Sequence, residues 1–333
     1  VEAIPRQLEA EGVGRIVVVS DEPEKYAIGA RFAHGVTVHH RDELDPVQRE
    51  LREWTGVSAM VYDQTCAAEK RRRRKRGTFP DPARRVMINE AVCEGCGDCS
   101  VKSNCLSVVP VETEYGRKRA IDQSSCNKDY SCVNGFCPSF VTIEGGALRA
   151  PEMTKIDASA FDDSKLTEPT LPALDEPYGI IITGIGGTGV VTIGALLGTA
   201  AHIEGKGVSV LDMAGLAQKG GAVVSHVRIG RTPEDIHAVR VAAGSADTLI
   251  GCDLMVAASP DVMAKLSPGR SRAVLNSHET ITGDFTRNPD MSFMGREMKE
   301  ILRVAVGDDQ AGFIEASRLA TALLGDSIAT NLF

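Results

Sequence analysis

Short apolar runs recur along the chain, each bounded by Gly, Pro or charged residues, and their lengths suit buried strands better than helices. In the first part, Arg15–Val19, Val36–His39 and Val57–Tyr62 read as strands. Between the second and third, Leu44, Val47 and Leu51 recur at helical spacing behind Asp42, which can cap the helix. From Tyr178 onward the same alternation returns. Gly179–Thr183 predicts a strand, residues 188 to 203 a helix, and Gly207–Asp212, Ala222–Ile229, Leu254–Ala258 and Arg272–Asn276 further strands. Strand and helix in alternation predict an α/β fold with a largely parallel sheet. Residues 77–146 show neither period, and Pro151, Pro169, Pro172 and Pro177 mark 147–177 as a linker. Four stretches follow: 1–76, the tail of an α/β domain with a basic linker; 77–146; the linker 147–177; and a second α/β domain, Rossmann-like, at 178–333.

Composition changes this picture little. Hydrophobic residues are 43% of 333, enough for folded cores, and the formal net charge of −8 argues against nucleic acid as a partner. The sequence contains no apolar run of membrane-spanning length and no signal peptide pattern, so a cytoplasmic protein is expected. It starts without Met and stops at Asn331-Leu332-Phe333, so a piece of a longer polypeptide, truncated at its C-terminus, is expected. Lys70–Arg76 is a run of basic residues. It reads as a solvated linker, or as a contact with an acidic partner or a neighbouring domain.

The cysteines change the picture most. Of nine, seven lie between positions 93 and 137. They form Cys93-x2-Cys96-x2-Cys99-x5-Cys105 and Cys126-x5-Cys132-x4-Cys137-Pro138. Two-cluster bacterial ferredoxins carry two runs of similar spacing, in which three closely spaced thiolates wrap one cluster and the fourth reaches the other. By that rule one cluster takes Cys93, Cys96, Cys99 and Cys137. The second takes Cys105, Cys126 and Cys132. Its remaining position falls on Asp129, since Cys126-x2-Asp129-x2-Cys132 keeps the spacing of three. A carboxylate binds iron less firmly than a thiolate, so the expectation is one or two [4Fe-4S] clusters, the second able to pass to [3Fe-4S]. Cys66 is the alternative fourth ligand. Structural zinc, which prefers paired C-x2-C knuckles, fits the spacing less well. Cys252 reads as a core residue.

A second candidate site is Gly184-Ile185-Gly186-Gly187-Thr188-Gly189, which follows a strand and opens a helix. Glycines there permit close approach of an anion to free N–H groups, or simply pack helix on strand. Asp212 lies farther along than the usual ribose-binding acid. Gln218-Lys219-Gly220-Gly221 forms a second polar, Gly-rich loop in which Lys219 could meet a phosphate or carboxylate.

Taken together, Cys93-Glu94-Gly95-Cys96-Gly97-Asp98-Cys99, Asn104-Cys105-Leu106 and Ser125–Pro138 resemble the ferredoxin segment of the 2-oxoacid:ferredoxin oxidoreductase family, in particular its long, fused bacterial indolepyruvate form. Asp63-Gln64-Thr65-Cys66 with the basic run looks like that form too. Gly184–Gly189, Gln218–Gly221 and Gly283-Asp284-Phe285-Thr286-Arg287-Asn288-Pro289 resemble its gamma domain. The resemblance implies a ferredoxin-like iron–sulfur domain at 77–146 and a gamma-type domain at 178–333. It implies oxidative decarboxylation of an aryl 2-oxoacid with thiamine diphosphate and coenzyme A, electrons leaving through iron–sulfur clusters to ferredoxin, and a homo-oligomeric enzyme. The Gly184–Gly189 and Gln218–Gly221 loops become candidates for binding coenzyme A. One departure matters: no Gly-Asp-Gly segment for thiamine diphosphate and Mg is present, since Gly283-Asp284-Phe285, Gly307-Asp308-Asp309 and Gly325-Asp326-Ser327 do not qualify. The thiamine-binding domains are therefore expected upstream in the same polypeptide, this stretch alone is expected to be inactive, and no catalytic residue is assigned. Two rivals stay open: a nucleotide-dependent iron–sulfur reductase using the glycine loop for NAD(P) or FAD, and a zinc-bearing scaffold.

Overall fold

A computed structural model describes all residues except 27–29, 124, 147–166, 216–220, 280–282, 289, 325–329, 332 and 333. The chain divides into two compact units, Val1–Asp81 and Pro82–Phe333. Most of the expected linker lies outside the described residues, and residues 167–177 form no helix or strand.

The first unit contains α1 (Ala3–Ala10), β1 (Arg15–Ser20), β2 (Thr37–His40), α2 (Leu44–Glu53), β3 (Ser58–Asp63) and α3 (Ala67–Lys75). The strands form a parallel sheet in the order β2-β1-β3. The β-branched run of β1 is central, with Val17, Val18 and Val19 wholly buried; Val17 and Val19 pack on Val47, Leu44 and Leu51 of α2. The basic run is not a solvated linker. It is the body of α3, which suits Lys and Arg as good helix formers. Lys70 pairs with Asp21 at 2.8 Å, and Lys70, Arg73 and Arg74 lie over the Phe79 ring at 5.2 to 5.9 Å.

The second unit opens with β4 (Arg84–Ile88), α4 (Asp98–Ser103), β5 (Val108–Thr113), β6 (Gly116–Ile121) and β7 (Phe140–Glu144). Strands β4 and β7 pair antiparallel and bring the two ends of the cysteine segment together; β5 and β6 form an antiparallel hairpin between the cysteine runs. The expectation of little regular structure in 77–146 is thus corrected. Its strands are short, and three of them carry basic or Pro residues, which hides them from periodicity.

The remainder holds β8 (Tyr178–Ile185), α5 (Val190–Ile203), β9 (Gly207–Ala214), β10 (Ala222–Gly230), β11 (Thr248–Gly251), α6 (Leu254–Ala257), α7 (Pro260–Met263), β12 (Arg272–Asn276), α8 (Gly295–Val306), β13 (Ala311–Ile314) and α9 (Ala316–Leu324). The sheet order is β13-β12-β11-β8-β10-β9. Strands β8, β11, β12 and β13 run parallel, while β10 runs antiparallel between β8 and β9. The sheet is therefore mixed, and β9 lies at its edge rather than beside β8. Ile180 and Ile182 face the α5 side, and Ile181 faces a second core with Leu249, Leu254, Leu275 and Leu302. The strand expected at Leu254–Ala258 is instead helix α6, capped by Asp253, whose Oδ1 accepts the Val256 N–H at 2.9 Å. Among the described residues, no helix is long and apolar enough to cross a membrane.

Candidate metal centre and glycine loop

The first cysteine run leaves β4, turns, and enters α4. The turn depends on glycine: Gly95 and Gly97 have φ of 76° and 81°, and a Cβ on Gly95 would collide with the Arg117 carbonyl oxygen on β6. The loop therefore lies directly on that strand. The Gly95 N–H donates to the Cys93 sulfur at 3.4 Å, and the Lys118 ammonium donates to the Cys93 carbonyl at 2.6 Å. The second run lies between β6 and β7, where the Lys128 N–H donates to the Cys126 sulfur, also at 3.4 Å. Among the described residues, Asn104, Lys128 and Tyr130 are the non-glycine residues in the left-handed region, at φ of 47°, 53° and 60°. All three lie beside cysteines. Left-handed backbone without glycine concentrates where the surroundings impose it, commonly at functional sites.

Cysteines of both runs come together around one apolar lining. Cys93, Cys99, Cys105 and Cys132 pack against Ile88, Val108, Ile121 and Phe140. Burial raises the thiols of Cys99 and Cys126, and pushes Cys132 up to about 12, with neighbouring Cys105, Cys126 and Asp129 adding to the rise. Without metal these thiols stay protonated at neutral pH, and a bound metal must displace the protons. Asp129 is exposed, and its Oδ1 accepts from the Ser131 N–H and hydroxyl at 3.2 and 3.0 Å. Cys137 is exposed, with its sulfur 3.0 Å from the Ser139 hydroxyl. Cys66 is the residue before α3 in the first unit. No described set of three ligating side chains converges on one point. A cubane takes one thiolate at each iron corner, so its ligands surround a volume rather than meet at a point. Grouped thiols, backbone N–H groups aimed at sulfur and an apolar lining fit such a cluster.

Sequence reasoning missed the basic strand between the runs, Arg117-Lys118-Arg119, although the signal is plain in the sequence. Arg119 is wholly buried, the largest side chain so placed. Its guanidinium donates to the Lys118 carbonyl at 3.1 Å and lies 5.0 Å from the Phe285 ring centroid. Arg117 donates to the Met291 carbonyl at 3.0 Å, and Thr286 donates to the Asn104 side-chain carbonyl at 2.9 Å. These contacts join the cysteine segment to the C-terminal sheet domain, which is why the two expected domains form one compact unit.

At the glycine loop, a Cβ on Gly184 would meet the Thr188 hydroxyl, Val190 at 2.8 Å and Cys252 at 2.9 Å. Gly189, at φ 91°, is crowded by Asn331. The Gly186 N–H donates to the Gly221 carbonyl at 2.8 Å, and the Thr188 N–H and hydroxyl donate to the Ile185 carbonyl. Gly187 has φ 103° and open space where a Cβ would stand. Gln218, Lys219 and Gly220 lie outside the described residues. Asp212 is exposed within β9, separated from β8 by β10. Cys252 is buried after β11, its thiol raised to about 11 by burial and the adjacent Asp253.

Residues 179–333 match the family model for pyruvate ferredoxin/flavodoxin oxidoreductase, and the resemblance seen in the sequence holds there. Two curated relatives are indolepyruvate oxidoreductase subunits IorB. That of Thermococcus kodakarensis is 41% identical over 73 residues, 22% of this chain and 35% of its own length. That of Archaeoglobus fulgidus is 27% identical over 157 residues, 46% of this chain and 71% of its own length. Against the first relative, the match thus spans about a third of the relative's length. Among solved structures, the pyruvate oxidoreductase subunit PORC of Thermotoga maritima aligns at 21% identity over 47% of this chain and 71% of its own, with a TM-score of 0.33. The relatives are subunits of oxidoreductases.

Proposed function

We propose that this chain is the electron-transfer and gamma-domain portion of an enzyme that oxidatively decarboxylates indolepyruvate or a related 2-oxoacid to acyl-CoA. The observation that carries the reading is that Cys93 and Cys99 of the first expected ligand group, and Cys105 and Cys132 of the second, share one apolar lining, within a unit whose C-terminal residues match the oxidoreductase family model. The first group would hold one [4Fe-4S] cluster, with Cys137 as its fourth ligand by spacing. The second would hold another, with Asp129 at its weakest corner. When bound, such clusters supply one-electron transfer at low potential. The chain's own residues hold the cysteines in left-handed turns, direct backbone N–H groups at Cys93 and Cys126, and line the thiols with apolar side chains.

Ferredoxin is the acceptor in this reading. Thiamine diphosphate and Mg belong to upstream domains of the same polypeptide. Gly187 and the start of α5 offer the face on which a phosphate of coenzyme A would lie. In the complete enzyme, Gly186→Val is expected to weaken coenzyme A binding; unchanged affinity would remove the loop from the site.

Asp129 gives the direct test of ligand assignment. After anaerobic reconstitution and mild oxidation, the chain is expected to show a three-iron paramagnetic signal, and Asp129→Cys to abolish it while keeping the iron. A three-iron signal that persists in Asp129→Cys would show that the labile corner lies elsewhere.

A further inference from the structure

The end of the large sheet away from the glycine loop holds a cavity of about 230 Å³. Strand β8 begins beside it, and the loop opens at the strand's other end, roughly 20 Å along. Gly179 lets one wall close up: a Cβ there would stand 3.1 Å from the Ser245 carbonyl oxygen and 3.3 Å from Val241, both of which line the cavity. Arg270 forms another side. Its Nε donates to the Asp247 Oδ1 at 2.8 Å, and the Asp247 Oδ2 accepts the Gly179 N–H at 2.7 Å, so that carboxylate is already engaged by the walls. Arg228, which reaches the cavity from β10, lacks such a partner. Its Nη1 donates to the Arg240 carbonyl at a long 3.4 Å, its Nε is buried without an acceptor, and no carboxylate pairs with it among the described residues. Folded proteins leave few buried donors unused. A guanidinium at a cavity wall with no counter-ion of its own suits an oxyanion, which takes two of its N–H groups at once.

We propose that this cavity binds a small oxyanion, a carboxylate or a phosphate, between Arg228 and Arg270. The volume suits an occupant of few heavy atoms, since drug-sized ligands fill about 300–1,000 Å³. Glu176 also lines the cavity, but it is exposed and pairs with no cation among the described residues. Its charge opposes an anion and is weakened by the solvent around it. The wider setting is cationic. His226, on the same face of β10 as Arg228, is held below its ordinary pKa by burial, and then by Lys265 and Arg240. The site is independent of the cluster reading and of the coenzyme A reading, because it uses neither the cysteines nor the glycine loop.

The test is calorimetric titration of the full 333-residue chain with inorganic phosphate and, separately, with malonate as a small carboxylate, in a buffer free of both. Saturable binding of at least one probe is expected, and the tighter of the two identifies the class of occupant. Arg228→Gln should weaken that binding about tenfold or more, the loss of a charge-assisted contact. Glu176→Gln, which removes the opposing charge, should leave it equal or tighter. No saturable binding of either probe up to about 10 mM overturns the proposal. Binding that Arg228→Gln leaves unchanged also overturns it, since the ion then lies elsewhere, and so does weaker binding in both variants. Should Arg228→Gln fail to fold, as judged by circular dichroism, Arg270→Gln takes its place. Weaker binding in Arg270→Gln with equal or tighter binding in Glu176→Gln then supports the site, and any other pattern overturns it.

Discussion

Single residues carry constraints that differ in how openly the sequence shows them. Gly184 is fixed by packing, since its missing Cβ leaves room for Thr188, Val190 and Cys252. Gly184→Ala is expected to destabilise the unit by about 1–3 kcal/mol, because the crowding falls on short or branched side chains with little room to yield; chemical denaturation measures it. His226 is 2% exposed, and its Nδ1 accepts the Val241 N–H at 3.1 Å, so the ring is neutral with its proton on Nε2. Burial, with Lys265 and Arg240 nearby, lowers its pKa from the ordinary value of 6.5. A base whose folded pKa is depressed contributes stability that is fully present above the unfolded pKa and lost as pH falls through the window below it. Stability should therefore decline as pH falls below about 6.5, and His226→Gln should flatten that decline; an unchanged slope would place its cause elsewhere. The cysteines and Asp129 were singled out by spacing alone, because iron–sulfur ligation, where it occurs, imposes spacing on sequence. The partnership of Asp129 with Ser131, and the burial of Arg119 against Phe285, were not, because both depend on how distant segments fold together.

At the scale of elements, periodicity recovered the strands around Val17–Val19 and Ile180–Ile182, whose buried β-branched runs have no competing reading. It failed where a short apolar run suits both states. Leu254-Met255-Val256-Ala257 lacks the length to separate strand from helix, and the deciding signal is Asp253, a side chain able to cap the first turn. That carboxyl is 1% exposed and raised by burial, while backbone N–H groups, Val256 first, oppose the rise. Asp253→Ala should cost about 1 kcal/mol for the cap, read as a lower denaturation midpoint. Asp253→Asn, which keeps the acceptor, should recover most of it. The antiparallel β10 was legible as a strand but not in direction, since direction is a matter of sheet order. Its insertion between β8 and β9 removes Asp212 from the neighbourhood that a dinucleotide-binding acid would need.

At the scale of the whole molecule, periodicity and the Pro-rich stretch suggested an order of segments but not their grouping. The sheet domain and the cysteine segment share one compact unit because β6, Asn104, Phe285, Thr286 and Met291 meet. Gly283–Pro289, first noticed as a motif, thus includes the surface on which the cysteine segment rests. If this docking matters, Phe285→Leu should make the cysteine segment more open to proteolysis, and equal cleavage of mutant and wild type would count against it. The central claim is that Cys93–Cys137 is an iron–sulfur segment. The most direct measurement is metal content of the anaerobically purified and reconstituted chain, iron and zinc together. About seven to eight iron per chain is expected for two clusters, with or without the labile corner filled. Stoichiometric zinc without iron after reconstitution would contradict the account and leave a zinc-bearing scaffold in its place.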